Sequence, residues 1–298
     1  MIVSVVIRTL NEALYLGELL QSIQEQEKRD FEIEVVLIDS GSTDGTLKIA
    51  QNNGSKITYI NKEDFSFGRS LNMGSEFSSG DILVYVSGHC VPTSKSWIAN
   101  LIEPIRNEIA GYSYGGQEGR DTTKFSERRI FEKYFPKEEK VPQDNFFCNN
   151  ANSAISRKVW EQYRFDEKIT GLEDMDLAKR YFEDGGRIAY IPHASVFHIH
   201  DETWTQTRRR YEREAIALQK IMPEVQVGLL DLIRYVSISI ISDSKHAFLE
   251  GSFFKEILGI ITFRLAQYLG TFRGNHQHRQ ISKRRKENYF YPIKKLED

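Results

Sequence analysis

The sequence predicts an α/β fold, in which a mostly parallel sheet has helices on both faces and is followed by a C-terminal α-helical extension. Short apolar runs rich in β-branched residues recur through the first half of the chain, at 3–7, 33–38, 57–60 and 82–86. Segments with helical spacing of apolar residues separate them, and the pattern from 204 onward is helical alone. Strands that alternate with crossover helices form parallel sheets.

The individual elements follow from the same patterns. The first helix starts after Asn11, where Thr9 and Glu12 have the spacing of a capping box. The region 111–150 shows no clear periodicity, and we interpret it as a substrate-facing excursion. The other predicted elements are helices near 43–44, at 68–77, 156–163 and 172–182, strands at 187–191 and 195–200, and helices at 204–221, 224–241 and 253–269.

The bulk composition excludes several classes of protein. Among 298 residues, 40% are hydrophobic and 28% charged, so the chain can bury a core and is not disordered. A net charge of -2 argues against nucleic acid as a partner. Two cysteines, Cys90 and Cys148, are too few for a secreted disulfide scaffold. No signal peptide pattern precedes the first strand, so we expect a cytoplasmic protein.

We predict two domains, a catalytic domain at 1–203 and a helical extension at 204–298. The extension has apolar residues with helical spacing and then a basic tail, which suits a peripheral position on an anionic membrane surface. Packing on the first domain or on a partner chain, including a homo-oligomer, is the alternative. The apolar residues are Phe253, Phe254, Ile257, Leu258, Ile261 and Leu265, and the basic ones Arg279, Lys283, Arg284, Arg285 and Lys286.

An acidic and glycine-containing segment, 39–46, follows directly after the second predicted strand. Ligands bind at the carboxyl ends of parallel strands, where an acidic side chain can accept hydrogen bonds from a nucleobase or a ribose. We therefore assign Asp39 to ligand binding. Asp44 is interpreted as a helix cap, and Gly41 and Gly45 allow the backbone to turn.

With the opening segment Ile7-Arg8-Thr9-Leu10-Asn11-Glu12, the 39–46 segment resembles the nucleotide-binding half of family 2 glycosyltransferases, which have the Rossmann-like GT-A fold. The resemblance covers roughly 1–215, and the loops look most like bacterial rhamnosyltransferase-type members that build surface polysaccharides. It implies that a nucleoside-diphosphate sugar binds through residues 7–12 and Asp39. The residues assigned to this donor site are Thr9, Asn11, Glu12 and Asp39.

The segment 67–74 is similar to the stretch that leads to the metal motif of this family. Its Arg69 could contact a phosphate, because a guanidinium matches phosphate oxygens. A solvated arginine on a helix is the equal alternative.

The metal motif itself departs from the family pattern. His89 stands where the family usually has the last Asp of an Asp-x-Asp motif, which binds Mg²⁺ or Mn²⁺. Imidazole binds Mn²⁺ but suits Mg²⁺ poorly. His89 is either a metal ligand with altered metal preference or a donor to the diphosphate in a metal-independent enzyme. His198 and His200 share one face of a predicted strand, and the resemblance implies that His200 is a second metal ligand.

The segment 171–180 contains the carboxylate pair Glu173 and Asp174 at the start of an amphipathic helix. Acidic residues there also favour the helix dipole, which is the structural alternative. In the family that this chain resembles, an Asp at this pair is the general base. An inverting transfer needs one carboxylate to take the proton of the acceptor hydroxyl. We assign this role to Asp174, with Glu173 as the second candidate.

Two further segments complete the predicted site. The segment 148–155 resembles the family region that lines the sugar and acceptor pocket, and amides can bind sugar hydroxyls. A plain turn is the alternative. Arg209 lies in a cationic run at 208–210 that could neutralise the leaving diphosphate, or could be a solvated helix face. The pocket residues assigned are Asn149, Asn150 and Asn152.

The sequence therefore predicts an inverting glycosyltransferase that moves a sugar from a nucleoside-diphosphate sugar to a glycan or lipid-linked acceptor. Two other functions have different sequence requirements. A nucleotidyltransferase would need a glycine-rich and basic loop after the first strand, which 8–11 lacks. A non-catalytic nucleotide-sugar-binding protein would not need the carboxylate pair at 173–174.

Overall fold

The computed structural model describes residues 1–27 and 30–276. Eight strands form one sheet in the order β3-β2-β1-β4-β7-β6-β8-β5. The strands are β1 (Ile2–Thr9), β2 (Glu32–Asp39), β3 (Lys56–Tyr59), β4 (Ile82–Ser87), β5 (Cys90–Pro92), β6 (Tyr112–Glu118), β7 (Asn152–Ser156) and β8 (Ile188–His198). The α/β class predicted from the sequence is confirmed.

Ten helices accompany the strands in the described residues. Seven lie between or beside the strands, and three form the C-terminal region. They are α1 (Ala13–Gln24), α2 (Thr46–Asn52), α3 (Phe67–Phe77), α4 (Trp97–Arg106), α5 (Phe125–Tyr134), α6 (Arg157–Tyr163), α7 (Glu173–Glu183), α8 (Trp204–Ile221), α9 (Leu229–Leu249) and α10 (Phe253–Asn275).

The strand β1 is the centre of the parallel half of the sheet. It pairs in parallel with β2 on one side and β4 on the other, so that Val5 lies opposite both Val35 and Val84. Its residues from Val3 to Ile7 are completely or almost completely buried, because the sheet is covered on both faces. The first half of the chain therefore builds a rigid platform around β1.

The strand directions bring many chain segments to one edge of the sheet. β1, β2, β3 and β4 are parallel, β7 runs antiparallel to β4 and β6, and β8 is parallel to β6 and antiparallel to β5. The carboxyl ends of β1, β2, β4, β6 and β8 and the amino ends of β5 and β7 consequently share an edge. We call it the carboxyl edge.

Several predicted boundaries were wrong. The region 111–150, which shows no clear periodicity in the sequence, contains the strand β6 and the helix α5. Its strand was obscured by the glycines Gly115 and Gly116, which are needed where β6 passes close to the backbone of residues 192–194. The two strands predicted at 187–191 and 195–200 are the single strand β8. The helix predicted from 224 starts at Leu229.

The capping box predicted for α1 is also absent. The N-cap residue is Glu12, whose side chain makes no capping hydrogen bond, and Ala13 N donates instead to Asp44 Oδ2 at 3.2 Å. The reason is that both side chains bond elsewhere: the Thr9 hydroxyl donates to Asp39 and the Glu12 carboxylate contacts His89.

The described residues divide into two compact units. The first contains 1–122, 131–168 and 173–200, and the second contains 123–130, 169–172 and the residues from Asp201 onward. The second unit is held by buried ion pairs, Arg264 to Asp243 at 2.7 Å and Arg210 to Glu127 at 2.7 Å. The predicted domain boundary between 203 and 204 stays a prediction. None of the helices within 1–27 and 30–276 has the length and apolarity that a bilayer crossing requires.

The close packing of α3 on the sheet depends on Gly74. A Cβ atom at this position would lie 2.2 Å from Ile38 Cδ1 and 2.7 Å from Val6 Cγ1. We expect Gly74→Ala to lower the free energy of unfolding by about 1–2 kcal/mol, because overpacking outweighs the better helix propensity of alanine. Urea unfolding followed by circular dichroism measures it.

Gly17→Ala in α1 is the matched control within the same unit. A Cβ there meets only Ile49 Cγ2 at 3.9 Å, an ordinary contact. This variant should be about 0.5–1 kcal/mol more stable than the wild type. Equal effects of the two substitutions would contradict the packing of α3 described above.

Candidate active site

Most residues that the sequence assigned to a site lie along the carboxyl edge, in the first unit. They follow β1, β2, β4 and β8, precede β7, or begin α7. Parallel and antiparallel strands meet here because of the sheet order, although the residues are far apart in sequence. They are Thr9, Asn11, Glu12, Asp39, His89, Asn149, Asn150, Glu173, Asp174 and His200.

The loops after β1 and β2 are bonded to each other. The Asn11 side-chain oxygen accepts a hydrogen bond from Thr43 N at 2.8 Å, and Asn11 N donates to the Ser42 hydroxyl at 2.9 Å. Asn11 has a φ of 57°, a left-handed conformation that asparagine tolerates better than most residues. Glu12 N donates to the Thr46 hydroxyl at 2.8 Å. These bonds fix the loop 8–12 relative to the loop after β2.

Asp39 organises the loop after β2. Its side chain is 1% exposed. One carboxylate oxygen accepts from Gly41 N at 2.8 Å and Ser42 N at 2.9 Å, and the other accepts from the Thr9 hydroxyl at 3.2 Å. Gly41 has a φ of 98°, which only glycine adopts without strain. Asp39 therefore shapes this loop, and its contact with a nucleotide stays a prediction.

Three histidines come together at the far end of β4 and β8. The pairing of β5 with β8 puts Cys90 opposite His198 and thereby brings His89 beside His198 and His200. One ring nitrogen of each histidine lies within 4.8 Å of those of the other two. We call these three residues the histidine cluster. The sequence had assigned His89 and His200 to it as ligands, and the structure adds His198.

The hydrogen bonds around the cluster fix the tautomers of two imidazoles. His89 Nδ1 lies 3.1 Å from a Glu12 carboxylate oxygen, and His198 Nδ1 lies 2.7 Å from the Gln117 side-chain oxygen. Both partners are acceptors, so each Nδ1 carries a proton. The two Nε2 atoms are 3.3 Å apart. With both Nδ1 atoms protonated, the two Nε2 lone pairs face each other, an arrangement that suits a shared proton or a metal ion.

The orientation of the Gln117 amide follows from a backbone donor. Ala151 N donates to the Asn149 side-chain oxygen at 3.0 Å, which identifies that atom as the oxygen. The same oxygen accepts from Gln117 Nε2 at 3.0 Å, so the other end of the Gln117 amide is the oxygen that faces His198. Asn149 thus acts on the histidine cluster through Gln117.

The donor set of the histidine cluster fits a divalent cation. Two nitrogens that bind one ion at about 2.1 Å in tetrahedral geometry are about 3.4 Å apart, and the two Nε2 atoms are 3.3 Å apart. Metal-bound histidines usually donate their other ring N–H to a carboxylate or an amide oxygen, as His89 and His198 do here. Imidazole ligands suit Mn²⁺ better than Mg²⁺, which prefers oxygen.

The carboxylate pair at the start of α7 is buried. Glu173 is 4% exposed and lies 3.3 Å from Arg8 Nη1. Asp174 is 8% exposed and accepts hydrogen bonds from Asn150 N and Met175 N, each at 2.8 Å. Burial, and next the negative charge of Glu173, raises the pKa of Asp174 to about 7. A carboxyl group with this pKa can exchange a proton near neutral pH.

The chain matches the family model "Glycosyl transferase family 2" over residues 4–164, more than half of its length. It belongs to glycosyl transferase family 2. The family predicted from the sequence is confirmed, and the protein is a glycosyltransferase.

Curated relatives of this family 2 chain include O-antigen chain rhamnosyltransferases of Salmonella. The chain is 24% identical over 222 residues to one from Salmonella typhimurium, and the match covers 70% of each chain. It is 26% identical over 191 residues to one from Salmonella anatum, where the match covers 60% of each. The similarity to rhamnosyltransferase-type members that the loops suggested therefore extends over most of the chain.

Solved structures with a similar fold are GT-A glycosyltransferases. A mannosyltransferase from Pyrobaculum calidifontis in complex with GDP-Man and Mn²⁺ aligns with a TM-score of 0.65 at 18% identity, covering 90% of this chain and 85% of the other. TarS residues 1–349 from S. aureus in complex with UDP aligns with a TM-score of 0.56 at 15% identity, covering 94% and 93%. The GT-A fold of this family 2 chain is confirmed.

Some predicted site residues of this family 2 chain have partners that the sequence did not indicate. Asn152 is fully buried: its amide accepts from Trp97 Nε1 at 2.9 Å and donates to the carbonyls of Gly116 and Ala194. It braces the sheet and is not exposed on a pocket surface. Arg69 forms an ion pair with Glu167 at 2.8 Å.

Asn150 and Arg209 complete the predicted set. The Asn150 side-chain oxygen accepts from the Tyr112 hydroxyl at 2.7 Å and from the Ser153 hydroxyl at 2.7 Å, and its buried Nδ2 has no hydrogen-bond partner in the described part of the chain. Its backbone N–H binds Asp174. Arg209 is half-buried in α8, in the second unit.

Three residues of the site were missed by the sequence assignment: Arg8, Gln117 and His198. Arg8 stood within the donor-binding segment 7–12, and the His-x-His spacing already put His198 on the face of His200, so both could have been found. Gln117 gave no signal, because it lies 81 residues from His198 in a region without visible periodicity.

Proposed function

We propose that this chain is an inverting glycosyltransferase that moves a sugar from a nucleoside-diphosphate sugar to a hydroxyl of a glycan or lipid-linked acceptor in bacterial surface polysaccharide biosynthesis. The observation that carries the proposal is Asp174, a buried carboxyl with a pKa of about 7 on the same sheet edge as the histidine cluster. A proton acceptor and a cation site are what this transfer requires. The names of the curated relatives support the polysaccharide assignment.

The donor nucleotide binds at the joined loops after β1 and β2 in this proposal. The Asp39 loop is held in one conformation by the bonds to Gly41, Ser42 and Thr9. Such preorganisation lowers the entropic cost of binding a ligand. Asn11 and Glu12 extend this surface toward His89, which is the direction in which a diphosphate would reach the histidine cluster.

The histidine cluster would hold the divalent cation, with Mn²⁺ favoured over Mg²⁺. Glu12 and Gln117 keep the Nδ1 protons of His89 and His198 in place, which leaves both Nε2 atoms as ligands. A bound divalent cation would neutralise negative charge on the diphosphate leaving group.

Asp174 is the general base in this proposal. It takes the proton of the acceptor hydroxyl while the oxygen forms a bond to C1 of the sugar and the bond from C1 to the diphosphate oxygen breaks. A base with a pKa near neutrality is deprotonated often enough to act and is still strong enough to take the proton. Arg8 holds Glu173 beside it, so Glu173 acts on Asp174 through its charge.

Asp174→Asn should lower kcat by about 10²–10⁴-fold, because the amide cannot accept the proton. The measurement is release of nucleoside diphosphate from a panel of uridine, guanosine and thymidine diphosphate sugars, with and without acceptor. Asp176→Asn is the matched control on the same helix; Asp176 is paired with Arg180 at 2.8 Å and should be removable with little effect on kcat. Equal, background-level turnover of wild type and Asp174→Asn would instead favour a non-catalytic binding protein.

The pH dependence of kcat/KM should reflect the raised pKa of Asp174. A base works deprotonated, so activity is expected to rise with pH through about 7 and to be lost as pH falls below it. Glu173→Gln removes the neighbouring negative charge and should lower the apparent pKa while most of the maximal rate remains. A profile that is flat from about pH 6 to 8 would refute this assignment. Loss of the maximal rate in Glu173→Gln would identify Glu173 as the base.

Metal binding should depend on the histidine cluster and on Gln117. Isothermal titration with Mn²⁺ and the absorption spectrum of bound Co²⁺ measure it without an activity assay. We expect His89→Ala, His198→Ala and His200→Ala to abolish binding, and Gln117→Leu to weaken it by about 10–100-fold, because His198 is then free to change tautomer. His193→Ala, at an exposed histidine, is the control.

The activity assay separates the two roles left open for His89. His89→Ala should reduce activity at least as much as removal of divalent metal does. Full activity in a chelator together with loss of activity in His89→Ala would make His89 a donor to the diphosphate in a metal-independent enzyme. Unchanged activity in His89→Ala would contradict this position of the diphosphate.

A further inference from the structure

The helices α9 and α10 of the second unit leave a large apolar surface uncovered. Twelve of the nineteen exposed large hydrophobic residues in the described chain lie on these two helices. We propose that this surface, which we call the hairpin face, docks on an anionic lipid bilayer. Its residues are Leu229, Leu230, Ile233, Tyr235, Ile238, Ile241, Phe248 and Leu249 on α9, and Phe254, Leu258, Leu265 and Leu269 on α10.

The exposed residues follow the period of each helix. On α9, Leu230, Ile241 and Phe248 are 82%, 67% and 72% exposed and fall within about 20° of one direction at 100° per residue. On α10, Phe254 and Leu258 are 93% and 76% exposed and are one turn apart. A helix normally packs its apolar stripe against the rest of the protein. In α9 and α10 the exposed apolar stripe lies apart from a second stripe of residues, which makes the packing contacts.

The second stripe of each helix joins α9 and α10 into a helical hairpin. Asp243 of α9 is buried against Arg264 of α10 at 2.7 Å, and the Ser239 and Tyr268 hydroxyls are 2.8 Å apart. Ile260 and Phe263 are fully buried. The hairpin therefore has its own core, and the hairpin face is the opposite side of two helices that are already packed.

The charges on these two helices favour an anionic bilayer as the surface that the hairpin face binds. The exposed charged residues of α9 and α10 are the cations Arg234, Lys245, Lys255 and Arg273, and Glu250 in the turn between the helices is the one exposed acid within 229–275. The acidic residues of both helices are buried or half-buried, as Asp243 in its ion pair and Asp231 at the helix start. Apolar side chains mixed with lysine and arginine match the acyl boundary and the anionic headgroups of a bilayer.

The sequence beyond α10 continues the same charge. Between 277 and 286 it has five lysines and arginines and no acidic residue. This basic tail, which the sequence analysis assigned to a membrane surface, lies outside the described residues. Its positive charge adds attraction to an anionic surface.

A second copy of the chain fits the hairpin face less well. A two-fold interface brings the same surface of two protomers together, and this surface has four exposed cations against one exposed acid, Glu250, so its net positive charge is doubled there. An anionic bilayer neutralises the same cations and takes up the apolar side chains.

Sedimentation with vesicles tests the proposal on the full chain. We expect binding to phosphatidylcholine vesicles that contain about one third phosphatidylglycerol, much weaker binding to pure phosphatidylcholine, and weakening by salt. Phe254→Ser combined with Leu258→Ser should lower the partition coefficient about tenfold or more, because two exposed apolar side chains no longer enter the bilayer. Lys245→Glu combined with Lys255→Glu should lower it for anionic vesicles.

Leu14→Ser combined with Tyr59→Ser is the matched control, since these side chains are 75% and 59% exposed but lie in the first unit. It should bind vesicles like the wild type. Equal loss in both double variants, or no vesicle binding by the wild type, would overturn the proposal. A concentration-dependent dimer in analytical ultracentrifugation that Phe254→Ser/Leu258→Ser abolishes, without vesicle binding, would assign the hairpin face to a second copy instead. None of these readouts needs sugar transfer, so they are independent of the proposed function.

Discussion

The end of β1 is the constraint on which the carboxyl edge depends. Three side chains within five residues each contact a different part of the site: Arg8 binds Glu173, Thr9 binds Asp39, and Glu12 contacts His89. β1 can hold them in place because it is buried on both faces between two parallel neighbours. The loop after β2, the histidine cluster and the carboxylate pair therefore share one support.

The electrostatic cost of burying charge explains how the two carboxylates at this edge are accommodated. A buried carboxylate is costly unless it is paired or protonated, and the edge uses both solutions. Glu173 is paired with Arg8, whereas Asp174 accepts hydrogen bonds from two backbone N–H groups and its pKa rises to about 7. The same electrostatic reasoning underlies the proposal that the histidine cluster binds a cation.

Local sequence patterns predicted most of the elements and placed candidate site residues at their ends, whereas contacts between residues far apart in sequence could not be predicted. The strand runs, the Asp39 loop, His89 and the pair at 173–174 are visible because each is a short motif at the end of a periodic element. Arg69 is paired with Glu167, 98 residues away, and Asn152 meets Trp97 and the β6 and β8 backbones. These contacts depend on the tertiary fold, which no local pattern encodes. The glycines of β6 are likewise explained by a long-range contact, because β6 passes close to the backbone of residues 192–194.

Anomalous diffraction at the manganese edge, from crystals grown with Mn²⁺ and UDP or GDP, tests most directly whether the loops after β1 and β2, the histidine cluster and the carboxylate pair form one site. The account predicts one manganese peak bound by His89, His198 and His200 and by the diphosphate, with the base and ribose against the Asp39 loop and Asp174 on the open side of the sugar position. A nucleotide bound away from the loops after β1 and β2, or a manganese ion held elsewhere, would contradict it.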